Sequence, residues 1–167
     1  MSRTAKFVAV AAASAAAVVV TAAPALAWTG GTVSASLTTP LVAPGGVTCS
    51  TSTLGGSVSA AGALNITSAT IGGCTGGIGV TPTNLPWGGS LTNGGGPATI
   101  TNFRVSALGC VYGGTLKGTN TAKSGTTPNA STTATFANQT VGKISGSFLC
   151  PNSATVSVTY KFTGAGI

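Results

Sequence analysis

Beyond residue 27 the sequence alternates small polar and apolar residues with a period of two, in short runs separated by glycine. The last run is the clearest, since Val156, Val158, Tyr160 and Phe162 alternate with Ser, Thr and Lys. A period of two places alternate side chains on one face of a strand, and no segment here keeps the period of an amphipathic helix. About eight to ten such runs predict an all-β single domain, an antiparallel β-sandwich or barrel.

A hairpin is predicted around residues 93–97, where the sequence reads Asn-Gly-Gly-Gly-Pro. Such a cluster is a strong turn signal when alternating runs flank it, as they do here. The second strand of the hairpin is predicted over residues 98–108. On that strand we expect Thr101, Phe103 and Val105 to share one face, and Asn102 and Arg104 to lie on the other.

The C-terminal third of the chain contains further predicted strands. Residues 132–141 and 143–149 look like two separate strands, and residues 119–130 are the most loop-like stretch. Pro86 lacks the backbone N–H that a central strand needs, so we place it outside one.

Residues 1–27 carry the features of a secretory signal peptide. Arg3 and Lys6 precede an apolar run rich in Ala and Val, and the run ends in the small-x-small pattern Ala-Leu-Ala27. A transmembrane anchor is the alternative, but the run is short, weakly apolar and directly followed by the cleavage pattern. The sequence therefore predicts a secreted domain over residues 28–167 with no transmembrane segment, either free outside the cell or associated with the cell surface.

Four cysteines follow, at widely separated positions: Cys49, Cys74, Cys110 and Cys150. Zinc sites normally show close pairs such as C-x-x-C, and the chain has no His to complete one. In an oxidising compartment an even number of cysteines predicts disulfides. Three connectivities are possible, and we favour Cys49–Cys74 and Cys110–Cys150 because each then closes a compact neighbouring unit.

Asp, Glu and His are absent from the whole chain. General acid–base catalysis and glycoside cleavage draw on these residues, and a Ser-His-Asp triad would lack two members. The carboxylate and imidazole ligands of calcium and zinc sites are also missing. A Ser–Lys dyad is the remaining catalytic option, and no Ser–Lys pair stands out. The sequence therefore predicts a protein that is not an enzyme and has no metal or cofactor.

The positive charge of residues 28–167 comes from one arginine, Arg104, and from lysines dispersed along the chain. Dispersal argues against nucleic-acid binding and fits solubilising and edge-protecting lysines. Weak candidates for ligand binding are Trp87, Tyr112 and Arg104. Trp87 could stack on a sugar or an apolar ligand if it were exposed, but the shortage of large side chains favours a place in the core.

Four segments carry a family resemblance: Val47-Thr-Cys-Ser-Thr-Ser52, Ile66-Thr-Ser-Ala-Thr-Ile-Gly-Gly-Cys74, Asn84-Leu-Pro-Trp87 and Cys110-Val-Tyr-Gly-Gly-Thr-Leu-Lys-Gly118. With residues 146–164 they span most of the chain after residue 27. They resemble the small secreted bacterial proteins, many of them actinobacterial, that are grouped with the "protein activator of alkane oxidation". The resemblance implies a non-enzymatic extracellular β protein that helps cells meet a hydrophobic substrate or surface. No catalytic or ligand-binding residue is carried over to this sequence from the resemblance.

The leading functional hypothesis from the sequence is a non-catalytic, surface-active or adhesive protein outside the cell. Its candidate partners are an apolar surface, a cell-wall polymer or another copy of the chain. One alternative is a structural protein that assembles through strand edges, favoured by low charge and β-rich segments. A second alternative is a soluble carrier of a small apolar ligand, a function implied by a looser resemblance to the neocarzinostatin-type apoproteins.

Overall fold

The computed structural model describes residues 27–167, so the predicted signal peptide lies, except for its last residue, outside the described residues. Within them the chain forms nine β-strands, two short 3₁₀ turns and no α-helix. The strands are β1 Gly31–Ala43, β2 Val47–Val58, β3 Ala63–Cys74, β4 Val80–Pro82, β5 Trp87–Leu91, β6 Gly96–Ala107, β7 Cys110–Asn120, β8 Ser131–Ser145 and β9 Ser153–Thr163.

Eight of the strands close into an antiparallel barrel, which confirms the predicted fold class. The order around the barrel is β6-β5-β3-β2-β1-β9-β8-β7, and pairing of β7 with β6 completes the circle. The short strand β4 pairs with the last part of β6, beyond the part that pairs with β5. Pro86 lies in the interruption between β4 and β5, outside the strands as expected.

The barrel interior is filled by side chains. Trp87 is 1% exposed, its ring lies 4.9 Å from that of Phe103, and its indole N–H donates to the Thr83 carbonyl at 2.9 Å. The alternating face predicted for the last strand is confirmed, because all four of its large side chains are buried on β9. Packing of this kind, together with strand pairing, supplies the main stabilisation of a small barrel.

The predicted hairpin is confirmed, since Leu91 of β5 pairs with Ala98 of β6. The predicted division of the β6 side chains between two faces is partly wrong, at Thr101. Asn102 adopts a positive φ of 58°, and the pairing with β7 is irregular between Ile100 and Phe103. Such a bulge shifts the alternation by one residue. Ile100 and Phe103 therefore both face the core, whereas Thr101 is only half-buried.

The two strands predicted over residues 132–141 and 143–149 are a single strand, β8, followed by a loop over residues 146–152. The expectation that a strand continues to Leu149 is wrong. Gly146 takes a positive φ of 125°, which ends the strand, and the bond between Cys150 and Cys110 draws the chain towards the turn that joins β6 and β7.

Because neighbouring strands are antiparallel, the connections alternate between the two ends of the barrel. One end carries the turns β1–β2, β3–β4 and β6–β7 and the β8–β9 loop. The disulfides Cys49–Cys74 and Cys110–Cys150 lie at this same end, and they confirm the preferred connectivity. At the opposite end Trp28 and Ile167 are buried against the core.

Candidate binding surface

Four large apolar side chains are exposed at the end of the barrel that carries the disulfides. The exposed fractions are 67% for Leu108, 50% for Ile144, 91% for Phe148 and 78% for Leu149. Within the described residues these are the large hydrophobic side chains that the barrel leaves open to solvent. We call these four residues the apolar rim. Apolar groups exposed together in this way mark interaction surfaces more often than apolar groups exposed singly.

Leu108 holds its place on the rim in an unfavourable backbone conformation. It forms the two-residue turn between β6 and β7 with Gly109, and the two residues have φ values of 54° and 74°. A tight hairpin turn with two positive φ values favours Asn-Gly, because an L-residue with a branched side chain pays a steric penalty there. The chain therefore presents an exposed leucine at a position where asparagine fits better.

The loop that carries Phe148 and Leu149 is fixed by local bonds. Cys150 is joined to Cys110 by the disulfide, and its backbone N–H donates to the Ser147 carbonyl at 3.1 Å. The N–H of Leu149 donates to the Ser147 hydroxyl at 3.1 Å. The ammonium group of Lys143 donates to the Cys150 carbonyl at 3.2 Å. These contacts hold the two apolar side chains outward on an ordered turn.

A cleft of about 270 Å³ opens beside two of the four residues of the rim. Leu108 and Leu149 both line it, together with Pro44, Ala107, Cys110, Tyr112 and Pro151. Most of these groups are apolar, so the rim continues into the cleft rather than ending at its mouth. This combination can accommodate the apolar part of a ligand or an apolar surface.

A second cleft, of about 240 Å³, lies on the outer wall of the barrel beside the β6 bulge. The residues that line it are Asn84, Asn102, Phe103, Arg104, Gly113, Gly114, Thr115 and Ile144. Ile144 thus belongs both to the apolar rim and to this more polar cleft. A third cleft, of about 220 Å³, is lined by serines and threonines of β1 and β2 with Leu37.

The three weak ligand-binding candidates from the sequence lie in different places. Trp87 is in the barrel interior, Tyr112 is a buried residue that lines the cleft beside the rim, and Arg104 lines the cleft on the outer wall. They do not form one site, and their roles in binding stay predictions. Sequence reasoning missed Phe148 and Leu149, although the flanking Gly146 and Pro151 could have indicated a loop.

No group of three or more Cys, His, Asp or Glu side chains that could hold a metal ion occurs among residues 27–167. In the same part of the chain, no helix has the length and apolar character needed to cross a membrane.

A model of the family described as "Alkane oxidation protein activator PraA/PraB-like" matches residues 1–165. The chain belongs to the PraA/PraB-like family. The match covers nearly the entire sequence, including every strand of the barrel and the apolar rim. It also bears out the resemblance drawn from the sequence. No curated protein and no solved structure matches the chain.

Proposed function

We propose that this PraA/PraB-like protein acts outside the cell, without catalysing a reaction, by attaching to apolar surfaces such as hydrocarbon droplets through its apolar rim. The observation that carries the proposal is the joint exposure of Leu108, Ile144, Phe148 and Leu149 at one end of a barrel whose other large apolar side chains are buried or half-buried. The family description, an activator of alkane oxidation, supports contact with alkanes.

The location and the lack of catalysis have separate support. Two disulfides persist in oxidising compartments outside the cytosol, which fits the signal peptide predicted over residues 1–27. The absence of Asp, Glu and His leaves the chain without the usual acids and bases of catalysis. A protein that acts by binding a surface needs no catalytic acid or base.

The structure gives less support to the two alternative functions. A carrier of a small ligand typically encloses a pocket of about 300–1,000 Å³. Here the interior is filled by side chains, and the three clefts described above lie below that range. Assembly through strand edges needs unpaired edges, and closure of the barrel pairs most of them.

The proposal is tested by adsorption of the purified protein to hexadecane droplets, with the combined variant Phe148→Ser and Leu149→Ser. Burying two such side chains halfway at an interface contributes about 1.5–3 kcal/mol in total, so we expect the partition coefficient to fall about 10- to 100-fold. The matched control is Phe148→Leu, which keeps an apolar side chain and should retain adsorption. Both variants should unfold at the same temperature as the wild type, because the two residues pack against little.

Two results would contradict the proposal. One is a wild-type protein that adsorbs to hexadecane no more than an unrelated small domain of similar charge. The other is a serine variant that adsorbs as well as the wild type, which would place the attachment surface elsewhere on the barrel.

A further inference from the structure

The cleft on the outer wall of the barrel exists because two neighbouring strands are irregular at the same level. On one side Asn84, in the interruption between β4 and β5, has a φ of 58°. On the other side the bulge at Asn102 bends β6. Both asparagines line the cleft, and the backbone around them is drawn away from regular pairing. Local backbone irregularities of this kind cluster at binding sites.

The floor of the cleft is a glycine of the adjoining strand. Gly113 of β7 pairs with Arg104 of β6, and a β-carbon added at Gly113 would lie 2.8 Å from the Phe103 carbonyl oxygen, 3.4 Å from Ile144 Cγ1 and 3.6 Å from Arg104 Cβ. The missing side chain thus leaves a groove with a cationic side chain on one wall and an apolar side chain on the other. Ile144 at the apolar wall also belongs to the apolar rim.

Arg104 has no acidic side chain to pair with. The chain contains no Asp and no Glu, so no carboxylate side chain of the protein itself can neutralise the guanidinium group. Arg104 is half-buried, unlike the exposed Lys117 on the next strand. A planar guanidinium group binds carboxylates through two parallel hydrogen bonds. The hydroxyl of Thr115 and the side-chain amides of the two asparagines add further polar groups to the same cleft.

We propose that this cleft binds the carboxylate head group of a single-chain amphiphile, a fatty acid, whose alkyl chain leaves over Ile144 towards the rest of the apolar rim. The inference rests on the proposed function, because it places the alkyl chain on the surface that would contact hydrocarbon. The volume of about 240 Å³ suits a head group and the first carbons rather than a whole enclosed ligand. Charge complementarity selects an anion, and the apolar wall selects an anion with a tail.

The test is titration calorimetry of the full secreted domain with decanoate, kept below the concentration at which it forms micelles. Arg104→Gln should weaken decanoate binding at least about tenfold, because a charge-assisted pair of hydrogen bonds is lost. Arg104→Lys keeps the positive charge but cannot form the two parallel hydrogen bonds of a guanidinium group, so it should give an intermediate affinity. The matched control, Lys117→Gln, removes the same charge from an exposed position and should change little.

Two further ligands separate the contributions of head group and tail. Decanol has the tail without the charge, and its weaker binding should not respond to Arg104→Gln. Glucuronate has the carboxylate without the tail and should bind at least about tenfold more weakly than decanoate. Equal affinity of glucuronate and decanoate would overturn the inferred class of ligand, and an equal effect of Arg104→Gln and Lys117→Gln would overturn the site.

The inference and the proposed function can fail separately. If decanoate binding is independent of Arg104 while the serine variant of the rim loses droplet adsorption, the cleft is not the fatty-acid site and the proposed function stands. If decanoate binding depends on Arg104 while the rim variant adsorbs normally, the cleft is supported and attachment through the rim is contradicted.

Discussion

Leu108 combines two unfavourable features, an exposed apolar side chain and a left-handed backbone conformation with a φ of 54°. Asparagine adopts that conformation more readily and suits the first position of this two-residue turn. We therefore expect Leu108→Asn to raise the free energy of unfolding by about 0.5–1 kcal/mol and to lower adsorption to hexadecane. Urea unfolding and the droplet assay measure the two effects on the same preparation.

The variant Leu108→Ala separates the two effects of Leu108→Asn. Alanine removes most of the apolar surface but gains nothing in the left-handed conformation, so adsorption should fall without any gain in stability. A Leu108→Asn variant that is less stable than the wild type would show that packing of the leucine outweighs the cost of its left-handed backbone conformation.

Tyr160 is a buried titratable group of the barrel interior. Burial raises its pKa to about 12, and the hydrogen bond to the Ser52 hydroxyl, at 2.7 Å, opposes part of that rise. The folded state therefore holds its proton more tightly than the unfolded state, whose pKa is near 10. The contribution of Tyr160 to the free energy of unfolding is fully present below pH 10 and is lost as the pH rises towards 12.

The expected result is a fall of about 2 kcal/mol in the free energy of unfolding between pH 10 and pH 12. Tyr160→Phe removes the hydroxyl and should flatten this part of the profile, although it leaves Ser52 without one partner. Urea unfolding at steps of half a pH unit provides the comparison. Parallel profiles for the wild type and Tyr160→Phe would mean that other groups cause the alkaline loss.

At the scale of single elements, the sequence predicted structure where the signals are local. The alternation of β9 and the Asn-Gly-Gly-Gly-Pro turn before β6 depend on residues close in the chain, and both predictions are confirmed. The bulge at Asn102 is also marked locally, because the apolar residues change phase between Ile100 and Phe103, but a period of two counted back from Phe103 passes through Thr101. Thr101 was therefore assigned to the wrong face.

The apolar rim could not be predicted for a related reason. Ile144, Phe148 and Leu149 are apolar residues in a β-rich context, and a local pattern cannot tell a buried strand from a loop held outward by a distant bond. That bond, Cys110–Cys150, joins residues 40 positions apart. Arg104 was identified from the sequence only as a weak candidate, and its cleft depends on Gly113 and Ile144 from two further strands.

The two disulfides should contribute differently to stability and to adsorption. By the chain-entropy model, closing loops of 25 and 40 residues contributes about 3–4 kcal/mol each. The Cys49–Cys74 bond joins directly paired residues of β2 and β3, whereas Cys110–Cys150 anchors the loop of the rim. We expect replacement of either pair by serine to lower the melting temperature, but only loss of Cys110–Cys150 to lower adsorption strongly.

Limited proteolysis gives an independent measure of the same difference. Chymotrypsin should cleave after Phe148 or Leu149 faster in the variant without Cys110–Cys150, because the loop then opens locally. The variant without Cys49–Cys74 serves as the control. Equal cleavage rates in the two variants would show that the hydrogen bonds of the loop, rather than the disulfide, hold the rim in place.

At the scale of the whole molecule, the absence of Asp, Glu and His has a structural as well as a chemical meaning. The barrel holds together without ion pairs between side chains, through strand pairing, a filled interior and two disulfides. Acid denaturation of most proteins comes from protonating paired carboxylates or charging buried histidines. Neither group exists here, so the net side-chain charge of +7 for the full chain stays constant from acid to neutral pH.

We therefore expect the free energy of unfolding in urea to differ by less than about 1 kcal/mol between pH 3 and pH 7, because no side chain titrates in that range. Added salt should change it little, since there are no side-chain ion pairs to screen. Reduction of the disulfides is the positive control for these measurements, and it should lower the free energy of unfolding by several kcal/mol at either pH. A loss of several kcal/mol on acidification alone would mean that protonation acts through a group other than a side chain.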